Sequence, residues 1–208
     1  MSSQKIRPQL ILGSSSPRRR DLLDAVGLSY QVCKPDTPEI PKPGEAPEAY
    51  ARRNASEKAA WVVDHVSRQG QPAAGVIVIS ADTIVVLDEA ILEKPLNPAH
   101  AVEMLKNLSG RPHTVISGVT LQSAFVDKPQ CLTFAVHTKV WIKPLGVAEI
   151  DAYVRTGEPL DKAGGYAAQG IGSYMVERIQ GSYANVVGLP IAEVVSSLEQ
   201  VFGYNIWE

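Results

Sequence analysis

The run "GVIVISADTIVVL", Gly75 to Leu87, limits the fold more than any other stretch of this chain. Its opening "GVIVIS" is a continuous apolar, β-branched run that passes straight into "ADTIVVLDEAILEKP". A strand of that composition is buried on both faces, so the rest of the chain must supply cover on either side.

The flanking segments have the composition of such cover. "QLILG" reads as a short buried strand, and Ser16 as the N-cap of a helix with Pro17 at its first position, where a missing N–H costs nothing. Leu22, Leu23 and Val26 give that helix an apolar stripe, and Gly27 ends it. Five prolines between Lys34 and Glu48 rule out regular helix or central strand, so this is a long loop, a feature often tied to function. From about Ala46 to Arg68 the sequence predicts a helix with Ala59, Val62, Val63 and Val66 at helical spacing. "NPAHAVEMLKNLSG" repeats the grammar, with Asn97 as cap, Pro98 in the first turn and Gly110 past the end. "TVISGVTLQSAF" and "CLTFAVHTKVWI" read as two arms of a long hairpin. A helix around Val147 to Arg155 stops at Gly157, and a glycine-rich stretch follows, suited to close approach of backbone to a ligand. Pro190 opens a last amphipathic helix through Val201. Strand–helix crossovers together with a long hairpin predict a mixed α/β sheet rather than a purely doubly wound one.

Composition narrows the function. A formal charge of −2 over 208 residues argues against a general affinity for nucleic acid or acidic membranes, which needs a net basic surface, so any anion binding is local. The apolar runs are too short to span a bilayer, and "MSSQKIRPQ" lacks the apolar core of a secretion signal, so the expected location is the cytoplasm. Cys33 and Cys131 stand alone and are expected to be buried structural thiols. His65, His100, His113 and His137 have no ligand spacing.

Local anion binding has an obvious place. "LILGSSSPRRRDLL" carries a strand into a serine-rich turn and then a helix N-terminus, which gathers unpaired N–H groups, hydroxyls and the positive end of a helix dipole. Arg18 and Arg19 lie in the first turn, where cations oppose the dipole unless an anion offsets both. A solvated basic turn or a kinase target serine is the competing reading. Asp82 falls at the carboxyl end of the most buried predicted strand, where open α/β sheets place ligands, although a lone acid there also serves to cap a turn. Lys58, Lys94 and Glu39 each read singly as surface residues. Together these groups supply what phosphoanhydride cleavage needs: carboxylates to hold a divalent metal and orient water, and cations to neutralise the leaving phosphates.

Five segments carry a resemblance over nearly the whole chain. "GSSSPRRRDLL", "SADTIVVLDEAILEKP", "MLKNLSGRPHTVISGV", "GEPLDKAGGYAAQGIG" and "GSYANVVGLP" occur in order and resemble the signature segments of the Maf family of nucleoside triphosphate pyrophosphatases. The resemblance implies a single domain over residues 1–208, a mixed α/β fold of two lobes shared with the inosine triphosphatase group, and an active-site cleft between the lobes. It also implies homodimers, a divalent cation (Mg2+ or Mn2+), and hydrolysis of a nucleoside triphosphate to monophosphate and pyrophosphate. Residue by residue, Asp82 matches the catalytic carboxylate, Ser14, Ser16 and Arg19 the phosphate-binding turn, Lys58 and Lys94 the two lysines, and Glu39 the loop acid that joins Asp82 at the metal. Family members usually show paired acids in that loop, where this chain has "TPEIP".

Within the family, the class resembling dTTP and UTP pyrophosphatases carries Arg, Thr and Gln at three substrate-specificity positions, where the 7-methyl-GTP class tends to carry Trp, Gln and Glu. This chain has Arg18, Thr83 and Gln169. A Gln amide offers a donor and an acceptor to a pyrimidine edge, whereas a carboxylate there would repel its carbonyl oxygens. The expected substrates are therefore UTP and dTTP, with modified pyrimidines such as 5-methyl-UTP and pseudo-UTP as further candidates. The alternatives are a 7-methyl-GTP pyrophosphatase and a nucleotide-binding regulator of cell division without turnover.

Overall fold

A computed structural model of the chain describes residues 7–70 and 75–207. Its centre is a seven-stranded mixed sheet, as the sequence predicts. The strands are β1 (Gln9–Gly13), β2 (Gln31–Val32), β3 (Val76–Leu87), β4 (Ala90–Leu92), β5 (Pro112–Ala124), β6 (Cys131–Ile142) and β7 (Val176–Gln180). Their order is β2-β1-β3-β5-β6-β7, with β4 paired to the far end of β3. β1 runs parallel to both β2 and β3, while β3, β5, β6 and β7 are successively antiparallel.

Helices α1 (Pro17–Ala25), α2 (Pro47–Gln69), α3 (Pro98–Leu108), α4 (Val147–Arg155), α5 (Tyr183–Val187) and α6 (Ile191–Gln200) cover the sheet. Leu10, Leu12, Leu23, Ile77, Ile79, Leu121, Val194 and Leu198 form one apolar cluster, at the β1 end of β3. Val85, Leu105, Leu108, Val115, Ile142, Ile150 and Tyr153 form a second beyond it, under α3 and α4. Between these two clusters the sheet carries the cleft described below.

β3 differs from the sequence expectation in a way that shapes the site. Asp82 does not end the strand; it lies near the middle of 12 strand residues. β3 continues because β5 pairs with it from Val76↔Ala124 to Val86↔Thr114, and because a two-residue turn at Asp88 and Glu89, both at positive φ, folds β4 back onto it. The parallel neighbour stops earlier: the last β1 pair is Gly13↔Ser80, after which the chain leaves for α1. From Ala81 to Ile84, β3 therefore has no strand partner on that side among the described residues, and the notch does for Asp82 what a strand end would have done.

α2 lies directly on β3 and β5. Its buried face carries Tyr50, Ala51, Asn54, Ala55, Lys58, Ala59 and Val62, with Val63 and Val66 partly buried. Small residues let the backbones approach, and Gly118 of β5 completes the fit: a Cβ there would stand 2.3 Å from the Ala51 carbonyl carbon and oxygen. Asn54 and Lys58 are the polar members of this otherwise apolar face.

Two local expectations are corrected. Ser16 occupies the N-cap of α1, but its side chain makes no capping bond; the Ser16 N–H donates to Ser14 Oγ at 3.2 Å instead, which tightens the turn. Cys33 is half-buried beside the edge strand β2, and Cys131 is exposed where β6 begins, so neither is a buried core thiol. Asn97 does cap α3, accepting from the His100 N–H at 2.9 Å. Among the described residues no helix is long and apolar enough to cross a membrane.

Candidate active site

A cleft of about 490 Å³ opens over the notch, within the range of small-molecule sites. Ser14, Ser16, Arg18, Arg19, Glu39, Lys58, Asp82, Thr83, Lys94 and Gln169 all line it, so every residue singled out from the sequence comes to one place.

Its floor is an ion-pair cluster. Lys58 Nζ donates to Asp82 Oδ1 at 2.7 Å and lies 2.8 Å from Glu39 Oε1, bridging strand, helix and proline-rich loop. Asn54, one turn before Lys58 on α2, donates from Nδ2 to Asp82 Oδ2 at 2.9 Å. Each Asp82 oxygen thus has one partner from α2 and retains a lone pair for something else. The loop is fastened by Tyr50, whose hydroxyl lies 3.0 Å from both the Glu39 carbonyl and Glu93 Oε1. Burial pushes the Glu93 carboxyl above its ordinary value, and the charges of Asp82 and Glu39 add to that.

The turn after β1 forms one wall. Arg19 is clamped by three bonds: Nε to the Gly188 carbonyl at 2.8 Å, Nη1 to Ser14 Oγ at 3.0 Å, and Nη2 to Thr83 Oγ1 at 3.3 Å. Burial disfavours the Arg19 charge, and Asp82 and Glu39 offset part of that cost. Thr83 also donates to the Gly188 carbonyl at 3.1 Å and sits 2.8 Å from Ser117 Oγ, so its hydroxyl holds the arginine as well as facing the cleft. Behind Gly188, fully buried Asn185 shares its two Nδ2 hydrogens among Val115 O, Val136 O and Thr138 Oγ1, which pins α5 to the sheet.

The opposite wall comes from the glycine-rich stretch. Gly164 and Gly165 take φ near 70°, and a Cβ on Gly164 would meet Val85 at 3.0 Å, so this backbone crosses β3 where only glycine fits. It places Lys162, Tyr166 and the exposed Gln169 at the cleft. Tyr166 is buried and its hydroxyl lies 2.7 Å from His113 Nε2. Asp161 faces Arg18 across the opening, Oδ2 to Nη1 at 3.8 Å, and accepts from Lys162 Nζ. Burial raises the Asp161 carboxyl, but the Lys162 bond and the charges of Lys162 and Arg18 hold it below its ordinary value.

Asn54, Tyr50, Glu93, Asp161, Lys162 and the Gly188 carbonyl went unread in the sequence. Asn54 and Lys58 had a usable signal, since two polar residues four apart on an Ala/Val helix face mark a buried polar cluster. Glu93, Asp161, Lys162 and Gly188 lie inside the segments quoted above and Tyr50 outside them, but nothing local in the sequence says which contacts they make.

A metal site can be tested on the donors. Among the described residues no group of three or more His, Cys, Asp or Glu side chains converges on one point. Asp82 and Glu39 offer hard oxygens, and Asn54 Oδ1 is buried beside them without a hydrogen-bond partner. Mg2+ binds through one or two carboxylates plus substrate phosphates rather than in an all-protein cage, and this set fits that mode.

The fold and this cleft define a mixed α/β protein in which a basic, serine-rich turn faces a buried carboxylate across one cleft. A family model described as Maf-like protein matches residues 9–201, and the chain belongs to the Maf family. A relative from Geobacter sulfurreducens is 49% identical over 193 residues, 93% of this chain and 96% of its own, and is named dTTP/UTP pyrophosphatase. Relatives from Geobacter metallireducens (50% over 190 residues, 91% and 94% of the two chains) and Anaeromyxobacter dehalogenans (45% over 202 residues, 97% and 98%) carry the same name.

Proposed function

We propose that this chain hydrolyses UTP and dTTP to the monophosphate and pyrophosphate, by attack of water on the α-phosphorus. What carries the reading is the convergence of the clamped Arg19 turn and the Lys58–Asp82–Asn54 cluster in one cleft; the relatives' names supply the bases.

The triphosphate lies along the Ser14–Arg19 turn, where hydroxyls, N–H groups at the start of α1 and the Arg19 guanidinium accept its charge. Arg19 is held by three partners before substrate arrives, so little ordering cost remains when phosphate binds. Lys94 lines the cleft and, among the described residues, has no carboxylate within 4.0 Å, which leaves its charge for the leaving phosphates. Asp82 uses its remaining lone pairs to orient the attacking water and take its proton, while Lys58 and Asn54 fix the carboxylate plane. A divalent cation, Mg2+ or Mn2+, held by Asp82 and Glu39 when bound, would neutralise phosphate charge. Arg18 and Gln169 stand where the base enters, and Thr83 links that end to Arg19. The protein acts on free nucleotides as a cytoplasmic homodimer; its near-neutral charge supports that over binding to nucleic acid or a membrane surface.

The test is pyrophosphate release by purified protein with Mg2+ or Mn2+ across UTP, dTTP, CTP, GTP, 7-methyl-GTP and ITP. Release mainly from UTP and dTTP is expected. Preference for 7-methyl-GTP would keep the chemistry and overturn the substrate, and binding without turnover on any of them would replace the enzyme with a nucleotide-binding regulator.

A further inference from the structure

Uracil and thymine present an acceptor, a donor and an acceptor along one edge (O2, N3–H, O4), whereas cytosine presents O2, an unprotonated N3 and an amino group. Gln169 cannot tell these edges apart, because a primary amide turned by 180° exchanges its donor and acceptor and suits either base. Discrimination needs groups of fixed hydrogen-bonding sense: an acceptor facing N3–H, which a carboxylate supplies, or a donor facing O4, which a cation supplies. Among the described residues three carboxylates line the cleft, and two of them, Asp82 and Glu39, are tied to Lys58 on its floor. The third is Asp161, at the end of the 3-10 turn Glu158–Asp161, beside Lys162 and Gln169.

We infer that Asp161 is a specificity-determining residue that accepts N3–H of uracil or thymine and rejects cytosine, with Arg18 and Lys162 donating to the two flanking carbonyls. The inference rests on the pyrimidine reading above. The geometry gives the carboxylate a cation on either side: Lys162 Nζ on Oδ1 and Arg18 Nη1 at 3.8 Å from Oδ2. At 3.8 Å the Arg18 contact is an ion pair without a hydrogen bond, so the guanidinium keeps its N–H groups for a ligand. Lys162 is largely buried and also donates to the Glu158 carbonyl at 3.3 Å, which anchors the array to the glycine-rich wall. Donor, acceptor and donor therefore stand in the order complementary to uracil. Against cytosine the carboxylate would face the N3 lone pair, and one of the two cations would face an amino group.

The experiment measures kcat/KM for UTP, dTTP and CTP with the full-length wild-type protein and Asp161→Asn. Asn keeps the size but can turn its amide, so cytosine becomes acceptable while uracil loses the charge-assisted bond. The UTP-to-CTP ratio of kcat/KM is expected to fall about tenfold or more, with UTP itself weakened. A purely structural role would lower all three together, and an unchanged ratio overturns the inference. So does a wild-type protein that already takes CTP as well as UTP. A wild-type protein inactive on every pyrimidine overturns the function reading, and this one with it.

Discussion

Replacing Lys58 by Met removes the cation that holds Asp82 to α2 while nearly preserving the volume of the side chain. The Lys58 and Asp82 side chains are each 8% exposed, and Nζ and Oδ1 are 2.7 Å apart, so the carboxylate left behind cannot recover its hydration. Removing one member of a buried pair costs about 3–5 kcal/mol. Two features favour the lower end here: Asp82 keeps the Asn54 bond, and Glu39, 45% exposed, can turn to water. For a chain of this length about 3 kcal/mol corresponds to a fall in Tm of about 6–12 °C. The informative control is the double variant Lys58→Met/Asp82→Asn, in which the orphaned charge is gone. If the cost is an unpaired charge rather than lost packing, the double variant is more stable than Lys58→Met, with a coupling energy of about 1–3 kcal/mol. Chemical denaturation of the four proteins measures it. A Lys58→Met protein within about 2 °C of wild type, or strict additivity in the cycle, would refute the reasoning.

Three further outcomes follow from the same geometry. Asp82→Asn retains the fold but loses about 10²–10⁴ in kcat, the usual worth of a positioned general base; near-normal turnover in a pyrophosphate-release assay would remove Asp82 from that role. Gly118→Ala drives a methyl into the Ala51 backbone and lifts α2 with its Asn54 and Lys58, so a Tm loss of about 2–12 °C and a drop in kcat are expected together, and a variant normal in both would contradict the close approach. Burial pushes His113 down from 6.5 to about 4, so the unfolded chain binds a proton that the folded chain refuses, and stability is lost as pH falls from about 6.5 to about 4. The effect is worth up to about 3 kcal/mol, and His113→Gln should flatten the fall in Tm across that window; an unchanged slope would assign it to other groups.

Local grammar made most elements legible. The Ser-Pro helix start, the Asn97 cap and the hairpin arms need only neighbours in sequence, and the mixed sheet followed from combining them. Asp82 was read as a strand end because its notch is made by two distant events, the departure of β1 after Gly13 and the return of β4 at Ala90. The residues that line the cleft were picked out through motif resemblance. Physical reading alone would have left Glu39 in solvent, since nothing local says that Tyr50 pulls its loop over Lys58. Thr83 shows a different limit: a hydroxyl beside the carboxylate could face a base or hold a neighbour, and only the fold reveals its bonds to Arg19 and Gly188.

The clamp on Arg19 also sets when activity can appear during synthesis. Its tightest bond joins residues 169 apart, and the Thr83 bond to the same carbonyl spans 105. Contacts of such separation carry a large loop-closure cost and are late to reward it. A chain still on the ribosome can pair β1 with β3 and lay α2 across them, yet the Arg19 clamp, the phosphate grip on the reading proposed above, is not ordered until Gly188 has emerged and α5 has docked through Asn185. With the role proposed for Arg19, nucleotide hydrolysis is withheld from partial chains, and a cut anywhere between the two ends of that bond is expected to silence the enzyme if the pieces part.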